Sequence, residues 1–218
     1  MNNKFSWELF NRMPIIGIMR NIAGEYTDRI AGIYHQSGLT CLEVTMNSAG
    51  AEETIASLVN THGDKLNIGA GTVCTANDLE KALNAGAQFI VTPIVNEDVI
   101  STCAARKVPV FPGAYTPTEI YKAWSLGATM VKVFPATTLG TGYIREVLGP
   151  LNQISLVPTG GINLENFTGY LAAGAKAVGI GSHLFPKNIL ANEDWDKLRE
   201  IYALYIDRYK TYLDTKAV

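Results

Sequence analysis

The feature that most constrains this chain is a regular alternation of short apolar runs with longer amphipathic segments. Eight runs occur: PIIGIM (14–19), TCLEVTM (40–46), LNIGAG (66–71), QFIVTP (88–93), VPVFPG (108–113), TMVKVFP (129–135), ISLVPTGG (154–161) and KAVGIGS (176–182). Segments between them, such as NDLEKALNAG and PTEIYKAWSLG, have helical periodicity. Strands separated by helices form right-handed βαβ units around a parallel sheet. The pattern therefore predicts an α/β protein with eight strands.

Eight βα units favour closure into a (β/α)8 TIM barrel, and 218 residues suit one barrel at the compact end of its size range. Because the sequence contains no linker or low-complexity tract, we expect one barrel domain over residues 1–218. The alternative is an open doubly wound sheet, which alternates strands and helices in the same way. The first strand–helix junction, GIMRNIAGE, lacks the closely spaced glycines of a dinucleotide fingerprint, which favours the barrel.

Two flanking segments and an internal repeat fit this prediction. The segment FSWELFNRM predicts a short N-terminal helix over one end of the barrel, with helical spacing of Phe5, Leu9 and Met13. The segment DWDKLREIYALYIDRYKTYL predicts the final outer helix, with apolar residues Leu198, Tyr202, Leu204 and Tyr205. The phrases SGLTCLEV, AGAQFIVT, LGATMVKV and AGAKAVGI precede every second strand, and their glycines are expected to end helices.

Charge and composition exclude several classes of partner. Lys plus Arg total 18 against 20 for Asp plus Glu, and this net charge of −2 offers no footprint for nucleic acid or an anionic membrane. The N-terminus lacks the apolar region of a signal peptide, and no stretch reaches the roughly 18 apolar residues of a membrane span. Three cysteines inside predicted elements indicate reduced thiols and a cytoplasmic location. The three histidines are far apart, so we expect no metal site.

The sixth predicted strand carries one charge, Lys132, in an otherwise apolar run. Side chains alternate along a barrel strand, so Lys132 shares a face with Met130 and Phe134, while the valines between them face the helices. Lys132 is therefore expected to enter the lumen, where burial lowers its pKa. A neutral buried amine is a nucleophile that forms Schiff bases with carbonyl substrates. The alternative is a lysine that reaches solvent or joins a structural ion pair.

Glu43, in CLEVTM, supplies a second charge on a predicted strand. It alternates with Leu42 and Val44, so it is also expected to enter the lumen. From the second and sixth strands, the carboxylate and the amine can meet across the barrel axis. Glu43 would then move the protons that Schiff-base chemistry requires. The alternative, a buried structural salt bridge, adds little net stability, which favours a catalytic pair.

Glycines end the last two predicted strands. Gly160 and Gly161 end the seventh strand, and Gly181 and Ser182 end the eighth. In barrels of this type, backbone N–H groups of the loops after strands seven and eight bind phosphate. A Gly–Gly pair alone also occurs in tight turns. Glycines at the ends of both the seventh and the eighth predicted strands predict a phosphate-binding site.

Seven blocks of the sequence also occur together, and in this order, in a known family. They are LEVTMNSAGA, IGAGTVCT, FIVTPIVNEDVI, FPGAYTPTEI, VKVFPA, PTGGINLENF and VGIGSHLF. They resemble the class I 2-keto-3-deoxy-6-phosphogluconate (KDPG) aldolases, which overlap with the 4-hydroxy-2-oxoglutarate (KHG) aldolases. The resemblance covers nearly the whole chain.

This resemblance implies roles for individual residues. Lys132 would form an imine with pyruvate, Glu43 would be the general acid/base, and Thr72 would bind the pyruvate carboxylate. Phosphate would be bound by Gly160, Gly161 and Ser182, with Thr159 touching the sugar part. The resemblance further implies a homotrimer. No diffusible cofactor is expected, because the imine itself withdraws electrons from the bond that breaks.

One position departs from the family pattern. Many members have arginine directly after LEVTL as a carboxylate clamp, whereas Asn47 stands here, and an amide cannot replace a bidentate guanidinium. Arg20, at the end of the first strand, is the expected substitute, and some relatives carry arginine there. The alternative for Arg20 is an ordinary surface arginine at a strand end. Pro93 and Phe134 are expected to shape the pocket wall.

Asn47 also leaves the substrate series open. The branch that cleaves 2-keto-3-deoxy-6-phosphogalactonate (KDPGal) places Asn and Ser after this strand but lacks the intact PTGG present here. We therefore expect cleavage of KDPG to pyruvate and glyceraldehyde 3-phosphate, with KDPGal as the alternative and KHG as a further candidate substrate. Two functions outside the aldolases stay open on the same phosphate-binding barrel: an isomerase or synthase, and a non-catalytic phospho-sugar binding protein.

Overall fold

A computed structural model describes residues 4–216, in which strands and helices alternate. The strands are β1 (Ile15–Met19), β2 (Cys41–Thr45), β3 (Asn67–Gly71), β4 (Ile90–Val91), β5 (Val110–Phe111), β6 (Gly113–Ala114), β7 (Val131–Val133), β8 (Leu156–Pro158) and β9 (Val178–Ile180). The helices are α1 (Trp7–Arg12), α2 (Gly24–Gln36), α3 (Ala51–His62), α4 (Ala76–Asn84), α5 (Glu97–Ala105), α6 (Pro117–Ser125), α7 (Gly140–Leu148), α8 (Phe167–Ala172), α9 (Lys187–Ala191) and α10 (Trp195–Lys216). Each predicted run contains a strand, and the fifth yields both β5 and β6.

The strands pair in parallel as two sheets. A curled six-stranded sheet has the order β5-β4-β3-β2-β1-β9, and a three-stranded sheet has the order β6-β7-β8. Pro112 alone separates β5 from β6, and proline has no N–H with which to continue a ladder. A parallel bridge between Thr159 and Gly179 joins the end of β8 to β9. The predicted α/β class with a parallel sheet is confirmed.

The two faces of the strands pack against different partners. A large outer core between strands and helices includes Leu42, Val44, Val131 and Val133. Cys41 and Met130, on the opposite face of the same two strands, belong to a separate inner cluster. Since strand side chains alternate, the same inner face carries Glu43 and Lys132. The predicted alternation in these two strands is confirmed.

Helix α1 packs against the amino ends of the strands. Phe10 is fully buried there, with its ring centroid 6.2 Å from that of Phe111. The Asn67 side chain fixes the preceding segment, because it accepts from the Ser6 N–H at 2.7 Å and donates to the Ser6 carbonyl at 2.9 Å. The predicted N-terminal helix is confirmed, although Phe10, and not Leu9, is its buried residue.

The C-terminal helix and the helix ends bear on further predictions. In α10, Leu198, Tyr202 and Tyr205 are buried as expected, but Leu204 is 53% exposed and lies outside its apolar face. All four glycines expected to end helices have positive φ: Gly38, Gly86, Gly127 and Gly174. Within residues 4–216, none of the helices combines the length and apolar character that a membrane crossing requires.

Candidate active site

A cavity of about 620 Å³ opens where the carboxyl ends of β1, β7, β8 and β9 meet their following loops. Its volume lies within the range of small-molecule sites. Seven of the sequence-predicted site residues line it: Arg20, Phe134, Thr159, Gly160, Gly161, Gly181 and Ser182. Lys132, Glu43, Thr72, Pro93 and Asn47 are not among its lining residues.

Lys132 lies in the middle of β7 and is 5% exposed. Its backbone N–H donates to the Pro112 carbonyl at 2.8 Å, and its Nζ lies 4.9 Å from the centroid of the Phe134 ring, which lines the cavity. Burial lowers the pKa of Lys132, the charge of Glu43 opposes this, and the charge of Arg20 adds to it. In the described part of the chain, Nζ has neither a hydrogen-bond partner nor a carboxylate within 4.0 Å. The Lys132 amine therefore loses its proton at a lower pH than the amine of a lysine in water.

Glu43 lies in β2 and is 2% exposed. In the β2–β3 ladder it pairs with Gly69, and its carboxylate lies over Gly71, where a Cβ would come within 2.5 Å of Oε1. Glycine at position 71 is thus what leaves room for the carboxylate. Burial raises the pKa of Glu43, and the positive charges of Lys132 and Arg20 oppose that rise. A raised pKa makes a carboxyl group better suited to hold a proton and pass it on during a reaction.

Arg20 directly follows β1; it is exposed to solvent and lines the cavity. Its charge acts on both buried groups: it lowers the pKa of Lys132 and opposes the rise in the pKa of Glu43. The structure therefore brings Arg20, Lys132 and Glu43 into one electrostatic group. Asn47 is exposed after β2, at the position where the family pattern has arginine.

The loop after β8 contributes a second part of the cavity wall. Gly160 and Gly161 have φ values of 94° and 71°, which favour glycine, and Asn166 donates from Nδ2 to the Gly161 carbonyl at 2.9 Å. In residues 4–216, the backbone N–H groups of Gly161 and Ser182 donate no hydrogen bond. Free N–H groups at the turns that follow two neighbouring strands can bind an anion.

Thr159 is 5% exposed and stands between β8 and β9 at the same end. Gly179 gives it space, because a Cβ at that position would collide with the Thr159 hydroxyl.

Thr72 directly follows β3, is half-buried, and has a φ of 57°, which is uncommon for a residue with a branched side chain. Pro93 contacts Gly113, where a Cβ would overlap the Pro93 backbone.

Some residues at this site are absent from the sequence predictions. His183 and Lys187 line the cavity, and the lysine adds a positive charge to it. Both residues follow β9, the eighth predicted run, and this position at the carboxyl end of a strand could have indicated a role in the site. Ser48 joins the loops after β1 and β2, because its hydroxyl accepts from the Asn21 N–H. In the described range 4–216, no three His, Cys, Asp or Glu side chains are grouped as a metal site.

Known aldolases match this chain over most of its length. A family model described as "KDPG and KHG aldolase" matches residues 8–201. The 2-dehydro-3-deoxy-phosphogluconate aldolase of Haemophilus influenzae is 35% identical over 93% of this chain and 97% of its own. The 2-dehydro-3-deoxy-6-phosphogalactonate aldolase of Escherichia coli is 30% identical over 91% of this chain and 96% of its own.

A solved structure extends the comparison to the backbone. It is a KDPG aldolase from Legionella pneumophila "with pyruvate captured at low pH as a covalent carbinolamine intermediate". It superposes on this chain with a TM-score of 0.82 at 28% identity, over 89% of this chain and 95% of its own. The likeness therefore extends over most of the backbone of both chains.

Proposed function

Since this chain belongs to the KDPG and KHG aldolase family, we propose that it is a class I aldolase that cleaves KDPG to pyruvate and glyceraldehyde 3-phosphate. The observation that carries this proposal is the buried amine of Lys132, which has no ion-pair partner in the described chain and whose pKa responds to the charge of the buried Glu43. Burial of an ammonium group without an ion-pair partner costs free energy, so the site favours the neutral amine. The neutral amine is the nucleophile that forms a Schiff base.

In the proposed reaction, the neutral amine of Lys132 adds to the C2 carbonyl of the substrate. Glu43 supplies the proton with which the carbinolamine loses water, and a protonated imine results. The Glu43 carboxylate then accepts the proton of the C4 hydroxyl as the C3–C4 bond breaks, with the electron pair of that bond moving into the imine. Glyceraldehyde 3-phosphate leaves, and Glu43 passes the proton to C3 of the enamine. Water then adds to the imine and releases pyruvate and the free amine, and the remaining proton returns to Glu43.

The remaining site residues hold the substrate in this proposal. Arg20 and Thr72 bind the carboxylate next to the carbonyl. The phosphate binds to the backbone N–H groups at Gly160, Gly161, Gly181 and Ser182, supported by the free donors in that loop. The part of the substrate between these two anions contacts Thr159, Phe134, Pro93 and Asn47.

We also propose that the two sheets form one closed eight-stranded barrel and one domain. The Lys132 N–H donates to the Pro112 carbonyl and the Thr129 N–H to the Val110 carbonyl, so hydrogen bonds run on both sides of the Pro112 interruption. The Thr159–Gly179 bridge supports closure at the other junction. In this scheme β5 and β6 are two halves of one strand.

Assembly and location complete the proposal. A homotrimer follows from the family resemblance, and the neighbouring exposed rings of Tyr121 and Trp124 on α6, 5.5 Å apart, provide apolar surface for it. Sedimentation analysis would give a monomer mass if this is wrong. The three free cysteines support a cytoplasmic location.

Reductive trapping tests the central proposal. The protein is incubated with pyruvate and sodium borohydride, and its intact mass is measured. We expect a pyruvyl adduct that is absent from Lys132→Ala, with the adduct mapped to the peptide containing position 132. An unmodified wild-type protein would favour an isomerase, a synthase or a binding protein, none of which needs an amine at this place.

The KDPGal series is a second candidate, favoured by Asn47 and Ser48 after β2 and by the similarity to the Escherichia coli enzyme. The two substrates differ only at C4, so turnover of each by the purified protein separates them. We expect a higher kcat/KM with KDPG, because the PTGG sequence with Thr159 is intact. A preference for KDPGal would reverse the substrate assignment and leave the Schiff-base mechanism in place.

A further inference from the structure

A chain of hydroxyl contacts joins the loop after β1 to the loop after β2. The Ser48 Oγ accepts a hydrogen bond from the Asn21 N–H at 2.9 Å. The same oxygen lies 2.9 Å from Oγ1 of Thr45, and the Ser48 N–H donates to the Thr45 carbonyl at 2.9 Å. Thr45 is fully buried and Ser48 is 9% exposed, so these contacts are shielded from water. They connect a rigid strand end to Asn21, the residue that follows Arg20.

Asn21 adopts a backbone conformation that needs support. Its φ is 53°, in the left-handed region that non-glycine residues seldom occupy. This turn is where the chain leaves β1, and it determines the direction in which the Arg20 side chain departs. Arg20 is itself exposed, and the described residues offer its guanidinium neither a hydrogen bond nor an ion pair. The backbone on either side is therefore what holds it over the cavity.

We infer that Ser48 is a positioning residue for Arg20: its hydroxyl fixes the Asn21 N–H and with it the point from which the guanidinium reaches the substrate carboxylate. Thr45 orients that hydroxyl from the end of β2, the strand that carries Glu43. The inference rests on the carboxylate-binding role of Arg20 in the proposed function. Ser48 itself touches no reacting atom in this scheme.

Replacement of the hydroxyl tests the inference. In Ser48→Ala the Asn21 N–H loses its acceptor, and we expect the KM for pyruvate in the condensation direction to rise about 3- to 10-fold with kcat unchanged. Ser48→Thr keeps a hydroxyl and should restore the wild-type KM. Ser37→Ala is the matched control, because its buried hydroxyl has no hydrogen-bond partner in the described chain and it lies at the end of α2. Its KM should not change.

A double-mutant cycle decides whether the effect passes through Arg20. Arg20→Ala should raise the pyruvate KM, and adding Ser48→Ala to it should cause no further rise. If the two effects multiply, Ser48 acts independently of Arg20 and the inference is wrong. It is also wrong if Arg20→Ala leaves the pyruvate KM unchanged, since Ser48 then has no clamp to position.

Two further measurements distinguish loss of the carboxylate clamp from loss of the aldolase mechanism and from failure of a variant to fold. Borohydride trapping of each variant with saturating pyruvate reports the Schiff base directly, so loss of the clamp and loss of the aldolase mechanism give different results. If Ser48→Ala does not fold, Thr45→Val replaces it, because valine keeps the shape and removes only the contact that orients Ser48. A smaller rise in pyruvate KM is expected there, and an unchanged KM in that variant would contradict the inference.

Discussion

The two ends of the inner sheet face are built from the same strands but with opposite chemistry. At the amino ends, buried aromatic rings pack against each other, with the centroids of Phe89 and Phe111 5.6 Å apart and Phe10 inserted from helix α1. Nearer the carboxyl ends, the same inner faces carry Lys132 and Glu43, and the cavity opens where the strands end. The amino end is filled and closed, whereas the carboxyl end holds two buried ionisable groups.

Glycines make room for different groups at the two ends. The Glu43 carboxylate occupies the place of a Cβ at Gly71, and the Thr159 hydroxyl does so at Gly179. At the aromatic end, the Phe89 ring occupies the place of a Cβ at Gly69. The division agrees with a general rule for parallel α/β sheets, in which ligands bind at the carboxyl ends of the strands. Substitutions at the two ends should therefore change different observables.

The largest effect is expected at Lys132. Lys132→Met fits the apolar surroundings but has no nucleophile, so kcat should fall about 10⁴-fold or more, as when other covalent nucleophiles are removed. The far-ultraviolet circular dichroism spectrum should be unchanged. Lys210→Met, on the exposed face of α10, is the control and should keep full activity. Substantial KDPG cleavage by Lys132→Met would remove the chemistry from this end of the sheet.

Glu43→Gln should have the next largest effect. The amide keeps the shape but transfers no proton, so we expect kcat to fall about 10²- to 10⁴-fold. Pyruvate trapping should still occur but more slowly, because dehydration of the carbinolamine loses its acid. Stopped reactions analysed by intact mass would measure this, with exposed Glu53→Gln as the control. An unchanged kcat would make Glu43 a structural residue.

At the opposite end, Phe10→Ala should change stability and leave chemistry intact. Loss of a fully buried ring costs about 3–5 kcal/mol of unfolding free energy. Urea unfolding measures this, and Asn11→Ala, exposed on the same helix, should stay within about 0.5 kcal/mol of wild type. At a temperature where the variant is folded, kcat and KM should match those of wild type. A lower kcat in the folded variant would mean that the two ends are coupled.

The same contrast explains what the sequence alone could predict. Alternation along a strand is a local property, so the inward direction of Lys132 and Glu43 followed from their immediate neighbours. The positive φ values at Gly160 and Gly161 agree with the predicted turn, because glycine favours that conformation wherever it occurs.

Other features depended on contacts that no local pattern encodes. Whether Leu9 or Phe10 is buried depends on the rotation of α1 over the strand ends, because consecutive residues point about 100° apart around a helix axis. The role of Ser48 depends on Asn21, which is distant in sequence and adjacent only once β1 and β2 pair. The Leu204 prediction failed because α10 packs on a narrower face than its composition indicates.

The smallest effects should appear in the titration of Lys132, and they give the finest test of the contrast. Glu43 raises the pKa of Lys132 and Arg20 lowers it, so the two neighbours act in opposite directions. Glu43→Gln should therefore move the pH profile of amine reactivity to lower pH, and Arg20→Ala should move it to higher pH. The rate at which an acylating ester modifies position 132, followed by mass spectrometry across pH, measures each profile. Phe10→Ala should leave the profile in place, since no charge is lost and the ring packs at the other end of the strands. Unchanged profiles in both Glu43→Gln and Arg20→Ala would show that burial alone controls the amine, and the carboxyl end would then lack the charge coupling that distinguishes it from the aromatic end.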